Sequence, residues 1–465
     1  MRRRIPLIFL IFFLLLNGFV NGQVVQQWLT MADRSVLFTR QADLLPSTAS
    51  KNNEPTITID DRQKFQSVDG FGFALTGGSA QHIIKMSPPA RAALLQELFA
   101  TEGNSIGISY LRLSMGASDL NEKVFSYNDL PEGQTDLSLE RFDLSEDKKD
   151  IIPVMREILA INPKIKIMAS PWSPPLWMKT SYDARGGMLK PEYYDVYARY
   201  FVRYIQEMKK EGIAIDAITV QNEPLHPGNN PSLLMAAPDQ AIFIKNNLGP
   251  AFKAANLKTR IIIYDHNADR PDYPISILDD PGASQYIDGS AFHLYGGKIE
   301  ALSDVHRAHP DKNIYFSEQM VVEPPDSKII NIINPVRRLI IGAMRNWSKN
   351  VIEWNLAADP DNKPFTDRGG CSMCQGAITI NGDRFTKNLA YYSIAHASKF
   401  VRPGAVRIAS NELVDLPNVA FKTADGKMVL IVANTGNELI KFNITHHQKQ
   451  LSASLQKGAV ATYIW

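Results

Sequence analysis

Eight short runs rich in β-branched and aromatic residues recur along the chain, and between them lie stretches with helical spacing. The runs are "SVDGFGFAL", "ISYLRLSM", "IKIMAS", "AITVQNE", "RIIIYDHN", "IDGSAFHLY", "NIYFSEQ" and "VIEWNLA". Alternation of strand and helix is the pattern of βα units, whose strands pair in parallel beneath crossover helices. In "PEYYDVYARYFVRYIQEMKKEG" the apolar and aromatic residues recur at three and four, and Gly212 supplies a stop. "PDQAIFIKNNLGPAFKAAN" and "NPVRRLIIGAMRNWSKN" are crossovers of the same kind. Eight units over about 300 residues predict an α/β fold of the (β/α)8 TIM-barrel type rather than an open sheet. An open nucleotide-binding sheet would carry G-x-G-x-x-G after its first strand, and "GFGFALTGG" does not fit that spacing.

The ends of the chain read differently. From about Arg402 onward come "AVRIAS", "NVAFKTADGKMVLIVANTG", "IKFNIT" and "AVATYIW", short β-prone runs with turns such as Asp425–Gly426 and no helix between them. The segment ahead of the barrel, "RSVLFTR" through "PTITID", is also strand-like. Together these predict a side β-sandwich domain built from N- and C-terminal pieces. The expected organisation is a signal peptide at 1–22, sandwich strands at 23–65, the barrel at 66–400 and the rest of the sandwich at 401–465.

Three arginines precede an apolar stretch from Ile5 to Val20, with Val20 and Gly22 as small residues before a cut at Gln23. The apolar stretch is short for a spanning helix, which needs about 20 residues. The chain is therefore expected to be secreted or periplasmic, without stable membrane insertion once the signal is removed. Lys plus Arg number 50 against 48 acids, so no basic excess points to nucleic acid. The only two cysteines, Cys371 and Cys374, stand in "GGCSMCQG". One C-x-x-C lacks the four ligands of a structural zinc site, and the glycine-rich surroundings lack a thioredoxin-like βαβ context. In an exported chain a local disulfide is the expectation. The sequons "NWS" and "NIT" matter only in a eukaryotic secretory pathway.

In a (β/α)8 barrel, chemistry sits where strands end at their C-terminal face. Those ends carry Arg112 and Asp119, Trp172, Asn222 and Glu223, His293 and Tyr295, Glu318, and Trp354. Glu223 and Glu318 thus converge on one mouth. Breaking a glycosidic bond needs such a pair: one carboxylic acid for the leaving oxygen and one carboxylate at the anomeric carbon. A solvated loop glutamate or a core tryptophan is the alternative for each position taken singly. "YDHN" is too sparse to indicate a metal, and no cofactor is implied.

The ordered motifs "DGFGFALTGGSA", "YLRLSMGASD", "SPWSPPLWMKT", "TVQNEPL", "FHLYGG", "YFSEQ", "EWNLAADP" and "HASKFVRPGAVRI" run through nearly the whole chain. They resemble glycoside hydrolase family 30, the group of endo-β-1,6-glucanases and glucosylceramidase-type β-glucosidases. The resemblance implies a retaining barrel hydrolase with a side sandwich, Glu223 as acid/base and Glu318 as nucleophile. It further implies Arg112 keeping the nucleophile ionised, Asn222 bonding the sugar's 2-hydroxyl, and Asp119 and Trp354 gripping the terminal sugar. Trp172 completes the sugar site, and His293 and Tyr295 shape the pocket around Glu318. Glu223 is expected to have a raised pKa, through burial and the charge of Glu318.

After the eighth strand the glucosylceramidase branch carries an asparagine in a longer loop. Here the stretch reads "DNKPFTDRGGCSMCQGAITI", which resembles the β-1,6-glucanase branch more closely. The expected function is an endo-β-1,6-glucanase acting on β-glucan. The alternatives are an exo-acting, glucosylceramidase-like β-glucosidase, a xylan-directed relative, and a non-catalytic glycan-binding barrel.

Overall fold

Each of the eight β-prone runs forms a strand: β1 (Gly70–Leu75), β2 (Tyr110–Ser114), β3 (Lys166–Ser170), β4 (Ala217–Thr219), β5 (Arg260–Ala268), β6 (Ile287–Gly297), β7 (Asn313–Glu318) and β8 (Asn350–Glu353). The computed structural model describes residues 24–48, 52–324 and 326–465, so the expected signal peptide at 1–22 lies outside the described residues. The strands pair in parallel from β1 through β7, and β8 pairs with β1. The seam between β7 and β8 is made differently. Isolated parallel bridges join Ile314 to Ser348 and Met320 to Trp354, and the Asn350 carboxamide oxygen accepts the Phe316 N–H at 2.9 Å. A side chain thus replaces a missing ladder bond, as buried backbone donors require.

The barrel interior follows the two-residue period of its strands. Tyr110, Met168, Ala217, Ile262, Ala291, Tyr315 and Ile352 form one buried apolar layer. Two residues further along, Arg112, Ser170, Thr219, His293 and Ser317 follow on β2, β3, β4, β6 and β7, all buried. Successive inward positions stack in layers along a barrel axis. A polar layer therefore rests on an apolar floor, and the mouth of the barrel opens above it.

The outer helices earn their place by their apolar faces. Helix α1 (Tyr194–Lys210) buries Val196, Tyr197, Tyr200, Phe201, Tyr204, Ile205 and Met208. Each full burial of a large apolar side chain stabilises by roughly 1.5–3 kcal/mol. Beyond it Gly212 takes φ +88°, the left-handed conformation that ends a helix cheaply. Helix α2 (Leu389–Ser398) is buried along its whole length. Its His396 accepts at Nε2 from the Thr30 hydroxyl and donates at Nδ1 to Thr462, both at 2.9 Å. Thr30 and Thr462 stand near opposite ends of the chain, so one histidine ties both to the barrel.

Those ends share one ten-stranded sheet. The strand Gln26–Thr30 pairs antiparallel with Val460–Ile464. The long strand Thr56–Ser67 runs past the expected boundary at residue 65. It pairs antiparallel with Val406–Ser410 and parallel with Ile440–His446. Ile57, Ile59, Leu430, Val432, Phe442, Ile444 and Tyr463 fill its core. Asn443 of the "NIT" sequon is buried there and donates to the Asn52 side-chain oxygen at 2.6 Å, so it is not open to glycosylation.

Candidate active site

Glu223 sits just past β4 at φ +45°. That conformation is uncommon for a residue with a Cβ and costs of order 1–3 kcal/mol. It is held by a bond from the Glu223 N–H to the Asp265 carbonyl at 3.0 Å, with Pro224 following. Glu318 ends β7. A carboxylate oxygen of each, together with a His293 ring nitrogen, lie within 4.8 Å of one another. Both glutamates are buried, at 8% and 6% exposure.

Arg112 organises the floor. Its guanidinium donates to Glu318 Oε2 at 2.5 Å, to Asp265 Oδ2 at 2.8 Å, to the Asn222 carboxamide oxygen at 2.7 Å and to the Ser170 hydroxyl at 3.1 Å. The other oxygen of Glu318 accepts from the Tyr295 hydroxyl at 3.0 Å. That hydroxyl's oxygen already accepts the Met320 N–H at 2.9 Å, so its hydrogen is committed to Glu318. Tyr295 is 43% exposed overall, yet its hydroxyl is turned inward.

His293 bridges two acids. Its Nε2 lies 3.1 Å from Asp265 Oδ1 and its Nδ1 lies 3.1 Å from Glu223 Oε1, with Glu318 Oε1 at 3.8 Å. Asp265 also accepts from the hydroxyls of Ser317 and Thr219, at 2.5 and 2.6 Å. The structure therefore brings Arg112, Asn222, Glu223, His293, Tyr295 and Glu318 into one connected network, as the sequence reading grouped them.

Charge follows from these contacts. Burial pushes Asp265 up, but Arg112 and His293 overcome it and hold the carboxyl far below the usual carboxylate range. Burial pulls the His293 imidazole down, but Glu318, Asp265 and Glu223 raise it to about 9, so it is cationic at neutral pH. Burial and the charge of Glu223 push Glu318 up against His293 and Arg112. Both of its oxygens nevertheless accept hydrogens, which suits the carboxylate. Asp119, buried near Glu318 and Glu223, is raised to about 8. Glu223 corrects an expectation: burial raises it, but the His293 imidazolium outweighs burial and holds it below its ordinary value. The proton expected on Glu223 rests one hydrogen bond away, on His293.

Above the network opens a cavity of about 230 Å³. Part of its lining is apolar. Trp354 stacks on Trp172 with ring centroids 5.5 Å apart, and the Arg112 guanidinium lies 4.8 Å from the Trp172 ring centre. Cys371 and Cys374 are joined by a disulfide, and they pack with Met320 against these tryptophans. Cys374 Sγ stands 3.4 Å from Met320 Sδ. Asp119 also lines the cavity. The rest of the lining is polar: His226, Asn229, His266 and Asn267, with Asn229 Nδ2 3.3 Å from Glu223 Oε2 and the Asn267 carboxamide oxygen accepting the Tyr295 N–H.

Asp265 was not among the residues read from sequence. Ile262 points inward, so simple alternation would bring Tyr264 in next. Instead Tyr264 and Asp265 take φ +70° and +62°, and the pairing of β6 with β5 skips Asp265 between Tyr264 and His266. This bulge re-aims the acid into the barrel. The one legible signal was a charged residue inside an apolar run.

Neither donor cluster suits a metal ion. At Glu223 and Glu318 the His293 imidazolium beside both carboxylates and the Arg112 guanidinium bonded to Glu318 repel a cation. On the sandwich, Asp61, His446 and His447 converge, but the Lys422 ammonium sits 2.8 Å from Asp61. The Trp465 indole N–H donates to His446 Nδ1 at 3.3 Å, which leaves the neutral ring's hydrogen on the nitrogen facing Asp61.

Known proteins resemble this chain over most of its length. Residues 68–401 match the glycosyl hydrolase family 30 TIM-barrel domain, and residues 404–463 match the glycosyl hydrolase family 30 beta sandwich domain. An endo-1,6-beta-D-glucanase of Neurospora crassa is 32% identical over 438 residues, covering 90% of this chain and 89% of its own. The lysosomal acid glucosylceramidase of Mus musculus is 30% identical over 433 residues, covering 88% and 83%. The solved structure of an endo-beta1,6-glucanase superposes with a TM-score of 0.87 at 36% identity, over 95% of this chain and 99% of that one. Barrel and sandwich alike, the chain belongs to glycosyl hydrolase family 30.

Proposed function

We propose that this chain is a retaining endo-β-1,6-glucanase in which Glu318 is the nucleophile and Glu223 the acid/base. The observation that carries the reading is the approach of their carboxylate oxygens to within 4.8 Å. Retaining enzymes hold the two carboxyl groups about 5–5.5 Å apart, whereas inverting ones need roughly 6.5–9.5 Å for an intervening water.

Glu318, ionised and aimed by Arg112 and Tyr295, attacks the anomeric carbon as the glycosidic C–O bond breaks. The leaving oxygen takes a proton from Glu223, which draws it from His293 Nδ1 across their 3.1 Å contact. The product of this step is a glycosyl ester of Glu318. Water then attacks the anomeric carbon and gives its proton to the Glu223–His293 pair, and the ester bond breaks to release Glu318. Arg112 receives the freed carboxylate through a charge-assisted bond. Trp354 offers its face to the apolar side of the sugar ring, and Asp119 its carboxyl to the hydroxyls.

The disulfide-bearing loop after β8 favours β-1,6-glucan over glucosylceramide, as does the likeness to the glucanases of Neurospora crassa and of the solved structure. The glucosylceramidase likeness keeps an exo-acting β-glucosidase as the second reading. The disulfide also supports export to an oxidising compartment, in line with residues 1–22 acting as a signal peptide.

The test is product analysis on the β-1,6-glucan pustulan, with Glu318→Gln as control. A ladder of β-1,6-linked oligosaccharides, absent from the variant, is expected. Glucose as sole product would replace the endo reading with the exo one, and no turnover of any β-glucoside would end both.

A further inference from the structure

We infer that the loop after β8 is a strap across the barrel mouth, and that Asn230, where the strap is fastened, is a positioning residue for substrate binding. The inference rests on the reading of this chain as a glycosidase. It extends that reading to residues outside the cavity lining.

β8 and β4 lie opposite each other in the barrel, four strands apart either way round. Segment 359–377, which follows β8, still reaches the loop after β4, and it passes the intervening units on the way. The Lys363 carbonyl accepts from His82 Nε2 at 2.8 Å, on the helix Gly77–Lys85 that follows β1. The Thr366 N–H donates to the Asp119 carbonyl at 2.9 Å, beyond β2. The Arg368 guanidinium donates to both oxygens of Asp183 at 3.1 Å, beyond β3. The chain then turns back, and Cys371 and Cys374 line the cavity.

The fastening is at Asn230, which is fully buried beyond β4. Its side-chain NH2 donates to the Asp367 carbonyl and to Asp367 Oδ1, both at 2.9 Å. Its backbone carbonyl accepts the Thr366 hydroxyl. Gly369 sits so close that an added Cβ would stand 2.7 Å from the Gly228 carbonyl oxygen. At φ +144° it also holds a backbone that residues with a side chain rarely adopt. The ground beneath is firm. Buried Lys179 donates to the carbonyls of Ala184 and Ser232 at 2.8 Å and to the Ser173 hydroxyl at 3.0 Å. All three ammonium hydrogens are spent on joining the loops after β3 and β4.

Two cavity residues depend on this fastening. Asn229 precedes Asn230 in the chain, and its Nδ2 lies 3.3 Å from Glu223 Oε2. Asp119, whose carbonyl takes the Thr366 N–H, lines the same cavity. One stands beyond β2 and the other beyond β4, so no single βα unit sets their separation. The strap sets it. With the strap slack, substrate would have to order both loops from its own binding energy. Arg112, His293 and Glu318 stand on strands and are held through Asp265 and one another. Loosening the strap therefore falls on KM rather than on kcat.

The experiment is steady-state kinetics of the purified protein on 2,4-dinitrophenyl β-glucoside and on pustulan, with Tm recorded for each variant. Asn230→Ala is expected to raise KM about fivefold or more on both, with kcat within about twofold of wild type. Asp183→Asn and Arg368→Gln, whose side chains reach solvent, should each raise KM by roughly two- to threefold. Their double variant should be no worse than either single, because both remove one ion pair. If Asn230→Ala fails to fold, this cycle decides alone. Unchanged KM, a kcat that falls as far as KM rises, or single effects that multiply in the double would overturn the positioning role. In each of those cases hydrolysis by the wild type leaves the enzyme reading intact. A wild type that fails on even the dinitrophenyl glucoside would remove both.

Discussion

His293 Nδ1 stands 3.1 Å from Glu223 Oε1, and the hydrogen between them is the one an acid catalyst must surrender. The two groups titrate as a pair, and the pair's proton is lost only near the histidine's raised value of about 9. Replacing His293 by Ala leaves the proton to a buried carboxyl alone. The alkaline limb of kcat/KM on an aryl β-glucoside should then move to lower pH by a unit or more. An unmoved limb would show that His293 only props the pocket.

Glu223 and Glu318 should separate by leaving group. Glu318→Gln removes the nucleophile and is expected to abolish turnover of every β-glucoside. Glu223→Gln should slow hydrolysis of β-1,6-linked sugars by roughly 10²- to 10⁴-fold. It should slow formation of the glycosyl ester from a dinitrophenyl glucoside far less, because that leaving group needs no proton. Equal losses on both substrates would contradict the assignment of roles.

The disulfide is predicted to shape the pocket more than it steadies the fold. Its ring spans a sequence separation of 3, and so small a loop adds little by the chain-entropy account. Cys374, however, packs on Met320 and Trp354. Cys371→Ser with Cys374→Ser should raise KM for β-1,6-glucan several-fold while moving Tm by roughly 2 °C or less. A large fall in Tm with KM preserved would reverse that division.

Glu353 makes stability depend on pH. It is buried at the end of β8, accepts at one oxygen from the Ser393 hydroxyl of α2 at 2.7 Å, and has its other oxygen unpartnered. Burial raises it to about 8 from an ordinary 4.5. Between those values the folded state holds a proton that the unfolded state releases, so stability declines as pH rises from 4.5 to about 8. Glu353→Gln removes this dependence. Its advantage over the wild type should grow by about 1.4 kcal/mol per pH unit across that window. Denaturant melts at pH 5 and pH 8 check this, and a constant difference would refute it.

Much of the site was legible because strand parity carries it. Tyr110 and Arg112, Met168 and Ser170, Ala291 and His293, and Tyr315 and Ser317 each stand two apart, so floor and polar layer repeat along the strands. The positions of Glu223 and Glu318 follow from the ends of those strands. Asp265 escaped because a backbone bulge shifts parity by one residue, and a bulge leaves no fixed residue signature when it is not built on glycine. His226 and Asn229 escaped for another reason. They lie on an irregular loop whose course is set by contacts with distant segments, such as Asn230 to Asp367 at 2.9 Å. The lowered pKa of Glu223 was hidden as well, since it depends on a histidine 70 residues away in sequence.

The pairing of Gln26–Thr30 with Val460–Ile464 puts almost the full length of the chain between two partner strands. A ribosome delivers the first of them long before the second. The side domain consequently stays open until Val460–Ile464 has emerged, and the barrel is complete before its companion closes. A transcript cut short ahead of Val460 yields a finished barrel beside an unfinished sheet with a bare edge, the kind of edge that recruits other chains. The closing strand thus serves as a seal that is set only once translation has passed Ile464.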